Sequence, residues 1–207
     1  MPCMKSWIVL KYGGTSVSTL PRWRHIANRI RELQSEHRVW VVISALAGHT
    51  NKLEAALAEA VSGGAPDLES LERDCRRLAA EAGLNDASWD KALEVLAETR
   101  KLLDGARLTG EASPRLRARV LSAGERISTH LGAALLAAWD LPARWTDATQ
   151  LLESERAEGE TDANAYLEAR VPVRSQPERA EASVNGASLV LTQGFIARNT
   201  EGETCLL

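Results

Sequence analysis

Two apolar runs, Trp7-Ile8-Val9-Leu10 and Val39-Trp40-Val41-Val42-Ile43, each break at once into a loop. Between them Trp23, Ile26, Ala27, Ile30 and Leu33 recur at helical spacing. Strand, loop, helix, strand, loop is the opening of an α/β fold with parallel strands. The first run closes on Lys11-Tyr12-Gly13-Gly14-Thr15-Ser16, and a continuous apolar run ending on glycines predicts a strand buried on both faces that enters a tight loop. Pro21 marks the start of the helix, with Thr19 as its cap, and the helix runs to about Ser35. The second run leads into Ser44-Ala45-Leu46-Ala47-Gly48-His49-Thr50.

The middle of the chain reads as helices. Leu53, Leu57, Ala60 and Val61 mark one, closed by Gly63-Gly64. Leu68, Leu71, Cys75, Leu78 and Ala82 mark a second, ended by Gly83, and Trp89, Leu93, Leu96 and Leu103 a third, ending near Gly105. The charged residues between these positions predict solvated faces. A further helix from about Pro114 to Trp139 carries no charge from Ile127 onward, which predicts burial on most sides. Ala143-Arg144-Trp145-Thr146 reads as a short strand, residues 153–161 as a charged loop, and Ala187-Ser188-Leu189-Val190-Leu191-Thr192 as a core strand. Phe195-Ile196-Ala197 continues as another strand, with a hairpin turn at Asn199-Thr200-Glu201-Gly202.

Composition narrows the class of function. A net charge of -3, with Lys and Arg spread along the chain, gives no concentrated basic face for a nucleic-acid backbone. The most apolar stretch, residues 131–139, falls far short of the ~20 residues that span a bilayer, and the first strand begins too early for a secretory leader. Cys3, Cys75 and Cys205 are odd in number and widely spaced, so they form neither a disulfide framework nor a zinc motif, and Cys75 reads as a buried free thiol. A reducing cytoplasm fits. The four histidines show no metal spacing, and His49 and His130 read as ordinary loop and helix residues.

Chemistry has three candidate places. Gly13 and Gly14 let the backbone approach a ligand with N–H groups free for anionic oxygens, and Lys11 adds a positive charge beside them. Phosphoryl transfer needs mainly positioning and charge stabilisation, which such a loop supplies; a plain strand-to-helix turn explains the same residues. Ser44 and Thr50 sit on the loop after the second strand, at the carboxyl end where open parallel sheets bind ligands. Their hydroxyls suit a small polar substrate, and Thr50 equally suits a helix cap. Glu125 lies on a helix face shared with Leu121, Ser128, Gly132 and Leu136, so its carboxylate needs a partner. Arg126, a distant lysine or the ammonium of a ligand all answer that need.

These places also carry a resemblance. Val9-Leu10-Lys11-Tyr12-Gly13-Gly14-Thr15-Ser16-Val17 resembles the N-terminal signature of aspartate kinases. Val42 to Leu53 resembles that family's second motif, Gly124-Glu125-Arg126-Ile127-Ser128 its third, and Thr192-Gln193-Gly194-Phe195-Ile196 a fourth near the substrate. The resemblance implies the amino-acid-kinase fold, a three-layer α/β sandwich with a mainly parallel sheet between helices. It implies transfer of the γ-phosphoryl group of ATP, with magnesium, to the side-chain carboxylate of L-aspartate. By the matching positions Lys11 stabilises the transferring group, Gly13 and Gly14 offer backbone donors, Ser44, Thr50 and Glu125 hold aspartate, and Phe195 borders the pocket.

In the family a Gly-Arg-Gly-Gly-Ser-Asp loop follows the hairpin, whereas this sequence stops at Leu206-Leu207. The expectation is thus that residues 1–207 are the N-terminal portion of the catalytic domain, without the nucleotide-binding remainder or regulatory domains and inactive alone. The full-length protein is expected to be a homo-oligomer, with fusion to diaminopimelate decarboxylase a further expectation. Rival readings are a kinase of acetylglutamate, carbamate or a nucleoside monophosphate, and a non-catalytic aspartate-binding or assembly module.

Overall fold

The computed structural model describes residues 5–173 and 177–207, so Cys3 lies outside the described residues. The two apolar runs form strands β1 (Trp7–Tyr12) and β2 (Arg38–Ile43), joined by helix α1 (Leu20–Gln34). They pair in parallel from Trp7↔Arg38 to Tyr12↔Ile43, the pairing that a helical crossover permits. Further along the chain come β3 (Arg144–Thr146) and β4 (Leu189–Gln193). Strand β4 pairs with β2 on one side and β3 on the other, both in parallel, and the sheet order is β1-β2-β4-β3. A parallel sheet flanked by helices is the α/β class the sequence predicts.

Between β2 and β3 lie α2 (His49–Val61), α3 (Glu69–Glu81), α4 (Asp90–Thr109) and α5 (Pro114–Ala137). Helix α4 runs through the expected stop at Gly105 and ends at Gly110, whose φ of 70° closes it. Leu103 and Ala106 are both buried, so packing continues past Gly105 and outweighs the ~1 kcal/mol a mid-helix glycine costs. Helix α5 starts as the sequence predicts, with the Ser113 side chain accepting from the N–H of Leu116 and Pro114 in the first turn. Burial on most sides extends from Ala118 to Leu136, and the helix ends at Ala137, before Trp139. Thr19 takes the cap position of α1, but its side chain makes no capping bond.

One expectation about the sheet fails. Strand β1 is covered on one face only, and there it is half-buried: Ile8, Leu10 and Tyr12 share the side of the fully buried Val39, Val41 and Ile43. On the other face Val9 is 64% exposed and Lys11 is exposed. The cause is position, since β1 is an edge strand with β2 as its partner, and β4 is the strand buried at every residue.

The last part of the chain adds α6 (Ala148–Leu151), α7 (Asp162–Leu167) and α8 (Pro177–Val184), three short helices too brief for periodicity to announce. Strands β5 (Ile196–Arg198) and β6 (Thr204–Leu206) form an antiparallel hairpin outside the main sheet. Its turn is the predicted one: the Asn199 side chain accepts from the N–H groups of Glu201 and Glu203, and Gly202 sits at φ 82°. Cys75 and Cys205 are buried free thiols, and burial pushes Cys75 up to about 12. Among the described residues no helix is long and apolar enough to cross a membrane.

Candidate active site

The carboxyl ends of β1, β2 and β4 open into three loops that touch one another. After β1 the chain makes a 3-10 turn, Gly14–Val17. A Cβ on Gly14 would stand 2.5 Å from the carbonyl oxygen of Ala45 and 3.1 Å from the nitrogen of Ala47. Only glycine lets these two backbones approach so closely. Ser18 fastens the contact: its hydroxyl donates to the Gly14 carbonyl at 2.6 Å and accepts from the Ala47 N–H at 2.9 Å. From β4, the Gly194 N–H donates to the Ile43 carbonyl at 2.9 Å, and a Cβ there would lie 4.0 Å from the Ser44 hydroxyl.

Helix α5 supports the loop after β2. A Cβ on Gly124 would lie 2.9 Å from that of Ala45, and the Ser128 hydroxyl donates to the Ser44 carbonyl at 2.8 Å. Glu125 lies between these two contacts along the helix and is 4% exposed. Its carboxylate accepts one long bond, 3.4 Å, from the N–H of Ala45. Arg126 turns away to pair with Asp147 at 3.2 Å, and among the described residues no side-chain cation pairs with Glu125. Burial, opposed by its own and the Ala45 backbone N–H groups, raises its pKa to about 7. A buried carboxylate without a counter-charge is poised to receive a cation.

The exposed face of the sheet forms a groove of about 820 Å³. Lys11, Val42, Thr192, Gly194 and Phe195 line it, together with residues of α6 and α8. Phe195 is 47% exposed and sits at φ 65°, a left-handed backbone that a bulky residue rarely adopts. The strain falls where the chain leaves the parallel sheet for the β5–β6 hairpin. The structure therefore brings the loops of Gly14 and Ser44 together, with Glu125 of α5 bonded to the second through the Ala45 N–H, and places Lys11 and Phe195 in the groove beside them, with Gly194 touching both.

Two predicted residues stand apart from these contacts. Nothing lies within 4 Å of a Cβ placed on Gly13, so its glycine is not demanded by packing. Thr50 is the second residue of α2, and Gly48 at φ 82° holds the cap position, so the capping role fails. His49 is no loop residue but the first of α2, fully buried, with neither ring nitrogen hydrogen-bonded. Its Nε2 lies 3.5 Å from Asp74 Oδ2, which Lys52 already holds at 2.5 Å, and burial lowers the imidazole to about 4. His130 stacks on Trp145, ring centroids 4.1 Å apart.

The sequence reading assigned no role to Thr129 or Gln193. The Thr129 hydroxyl donates to the Glu125 carbonyl at 2.9 Å and accepts from Gln193 Nε2 at 3.1 Å and Trp145 Nε1 at 3.0 Å. Gln193 Oε1 accepts from the Ala148 N–H at 2.7 Å. In the sequence Gln193 stands inside the fourth motif, and Thr129 is one of three consecutive polar residues, Ser128 to His130, in the uncharged half of the helix.

The sequence model of the Amino acid kinase family matches residues 6–207, and the chain belongs to that family. Among curated relatives, the aspartokinase of Schizosaccharomyces pombe is 30% identical over 176 residues, covering 78% of this chain and 34% of the relative. Lysine-sensitive aspartokinase 3 of Escherichia coli is 32% identical over 214 residues, covering 99% of this chain and 44% of the relative. The chain thus spans less than half the length of these relatives. Escherichia coli aspartokinase III, solved in complex with aspartate and ADP, superposes with a TM-score of 0.72 at 25% identity over 98% of this chain and 43% of that one.

Proposed function

We propose that this chain handles L-aspartate and the γ-phosphoryl group of ATP in an aspartate kinase reaction. The observation that carries the reading is Glu125, a carboxylate that is 4% exposed and lacks a cation partner among the described residues. The α-ammonium of an amino acid supplies that charge. The Escherichia coli relative solved with aspartate and ADP supports the same substrates.

In this reading the ammonium of aspartate rests on Glu125, Ser44 and Thr50 add hydroxyls, and the ring of Phe195 borders the pocket. A side-chain carboxylate oxygen of aspartate attacks the γ-phosphorus, the bond to the bridging oxygen of ADP breaks, and an acyl phosphate and ADP result. Lys11 offsets the negative charge on the transferring oxygens, and the backbone of Gly13 and Gly14 faces the phosphates. Magnesium arrives with ATP and screens phosphate charge. Among the described residues no cluster of three or more His, Cys, Asp or Glu side chains is built to hold it, so no protein ligand is assigned.

We read residues 1–207 as the N-terminal portion of the catalytic domain of a cytoplasmic protein whose longer form is a homo-oligomer. Fusion to diaminopimelate decarboxylase belongs to the same reading, and sequencing the gene beyond the codon for Leu207 tests it. For the activity itself, the test is ADP release with ATP, magnesium and L-aspartate, trapping the acyl phosphate with hydroxylamine. Aspartate-dependent release supports the reading and shows that these residues suffice for turnover. Release driven by N-acetylglutamate instead transfers the chain to another branch of the family. Aspartate binding without ADP release supports the aspartate pocket alone, the outcome expected if these residues are inactive by themselves.

A further inference from the structure

Two buried hydroxyls, those of Thr99 and Ser122, serve only their own helix. Thr99 is typical: 2% exposed, it donates to the Val95 carbonyl one turn back at 2.7 Å and does nothing else. Thr129, fully buried on α5, differs. One donor and two lone pairs exhaust a hydroxyl, and Thr129 uses all three: the proton shared between the Glu125 and Arg126 carbonyls of its own helix, the lone pairs for Gln193 and Trp145. Gln193 spends both ends of its carboxamide as well, donating to Thr129 and accepting from the Ala148 N–H at the start of α6.

The positions of these two residues give the network its meaning. Thr129 stands one turn after Glu125 on the same helix, and its proton lies between the Glu125 carbonyl at 2.9 Å and the Arg126 carbonyl at 3.0 Å. Gln193 stands at the end of β4, two residues before Phe195 and its left-handed backbone. A strained residue keeps its conformation only when its surroundings over-determine it. Here the surroundings are the Gln193 carboxamide on one side and the Leu207 N–H bond to the Phe195 carbonyl, 3.0 Å, on the other.

We infer that Thr129 and Gln193 are positioning residues: a buried clamp that fixes the α5 turn bearing Glu125 relative to the β4 end bearing Phe195. This inference rests on the aspartate reading for its consequence, since the clamp then sets the width of the amino-acid pocket. Neither residue touches the substrate. Replacing the Thr129 hydroxyl by a methyl takes the acceptor from the buried Gln193 Nε2 and from the part-buried Trp145 Nε1, and unties the end of β4 from α5.

The test measures L-aspartate binding to the 207-residue chain by calorimetry. Thr129→Val is expected to weaken binding roughly tenfold, because the turn bearing Glu125 is no longer fixed against the end of β4. Thr129→Ser, which keeps the hydroxyl, is expected to restore affinity to within about threefold. Thr99→Val removes a hydroxyl with no cross-element bond and is expected to leave affinity unchanged. Should Thr129→Val fail to fold, Gln193→Glu carries the same test, because it keeps an acceptor for Ala148 and loses the donor to Thr129. A second readout needs no substrate. The indole N–H of Trp145, assigned among the six tryptophans by Trp145→Phe, should change its NMR position in Gln193→Leu although the two side chains meet only through Thr129. Wild-type affinity in Thr129→Val, or an equal loss in Thr99→Val, overturns the clamp. If the wild-type chain binds no aspartate, the proposed function falls, and the clamp is judged by the indole signal: an unmoved signal overturns it.

Discussion

The two faces of the sheet are made by the same strands and follow different rules. On one, Val39, Val41 and Ile43 of β2 are wholly buried, and α1 and α5 pack close enough for Gly132 to lie under the Trp23 ring, where a Cβ would collide with it. On the other, Trp40 and Val42 of the same strand are half-buried, and Val9 and Lys11 face the groove. The closed face holds the fold and leaves nothing free to react. The open face and the loops at its carboxyl end carry the groups that chemistry needs, and those groups are poorly satisfied by the protein itself.

Mutation should separate the faces. Trp23→Ala on the closed side is expected to lower stability by about 3–5 kcal/mol in urea denaturation, because it removes a large buried ring and its bond to the Val17 carbonyl. A loss below about 1 kcal/mol would show that this face is less tightly packed than its geometry implies. Lys11→Met on the open side is expected to slow aspartate-dependent phosphoryl transfer about a hundredfold in a longer protein that completes the catalytic domain, while moving the stability of residues 1–207 by no more than about 0.5 kcal/mol. The pairing of ADP-release kinetics with a urea melt checks it, and a stability loss comparable to that of Trp23→Ala would erase the contrast.

Glu125 lies between the two regimes, and pH exposes it. Its folded pKa, about 7, is above the ordinary 4.5, so the protonated form is favoured by folding. The resulting stability is complete below about 4.5 and is lost as pH rises to about 7. His49 and His130 act oppositely: lowered from 6.5 to about 4, they favour the fold above 6.5 and withdraw support as pH falls through 4. The difference in unfolding free energy between wild type and Glu125→Gln should therefore favour the variant increasingly from pH 4.5 to 7 and then level off. A flat difference would mean that the carboxylate already has a cation. Binding of aspartate near pH 7 should also release protons from Glu125, seen as a dependence of calorimetric heat on buffer ionisation enthalpy. The smallest effect belongs to Val9→Thr on the open face, where stability should stay within about 0.5 kcal/mol of wild type.

Much of this division was legible in the sequence. The apolar runs, the glycine stops after α2 and α3, and the uncharged half of α5 report local physics that tertiary contacts left unaltered. The half-open β1 was not legible, because Trp7-Ile8-Val9-Leu10 has no polar alternation before Lys11 and an edge strand is defined by its neighbours. For the site, the unusual helix face of Glu125 predicted its burial, and the lack of a cation needed coordinates to see. Thr129 and Gln193 were hidden because a polar residue in an apolar segment says that it has partners without saying which.

The place of β4 in the sheet has a consequence for how the chain comes into being. Val39 must wait for Leu189 before the centre of the sheet exists, since β4 separates β2 from β3 although it is the last of the four to be made. During synthesis, β1, α1 and β2 emerge first and can pair early, while the helices from α2 to α5 form by local contacts. Until β4 emerges, β2 keeps one edge unpaired and β3 has no neighbour. The nascent protein therefore carries an open parallel edge while residues 44–188 are made, the state in which a chaperone has the most to protect.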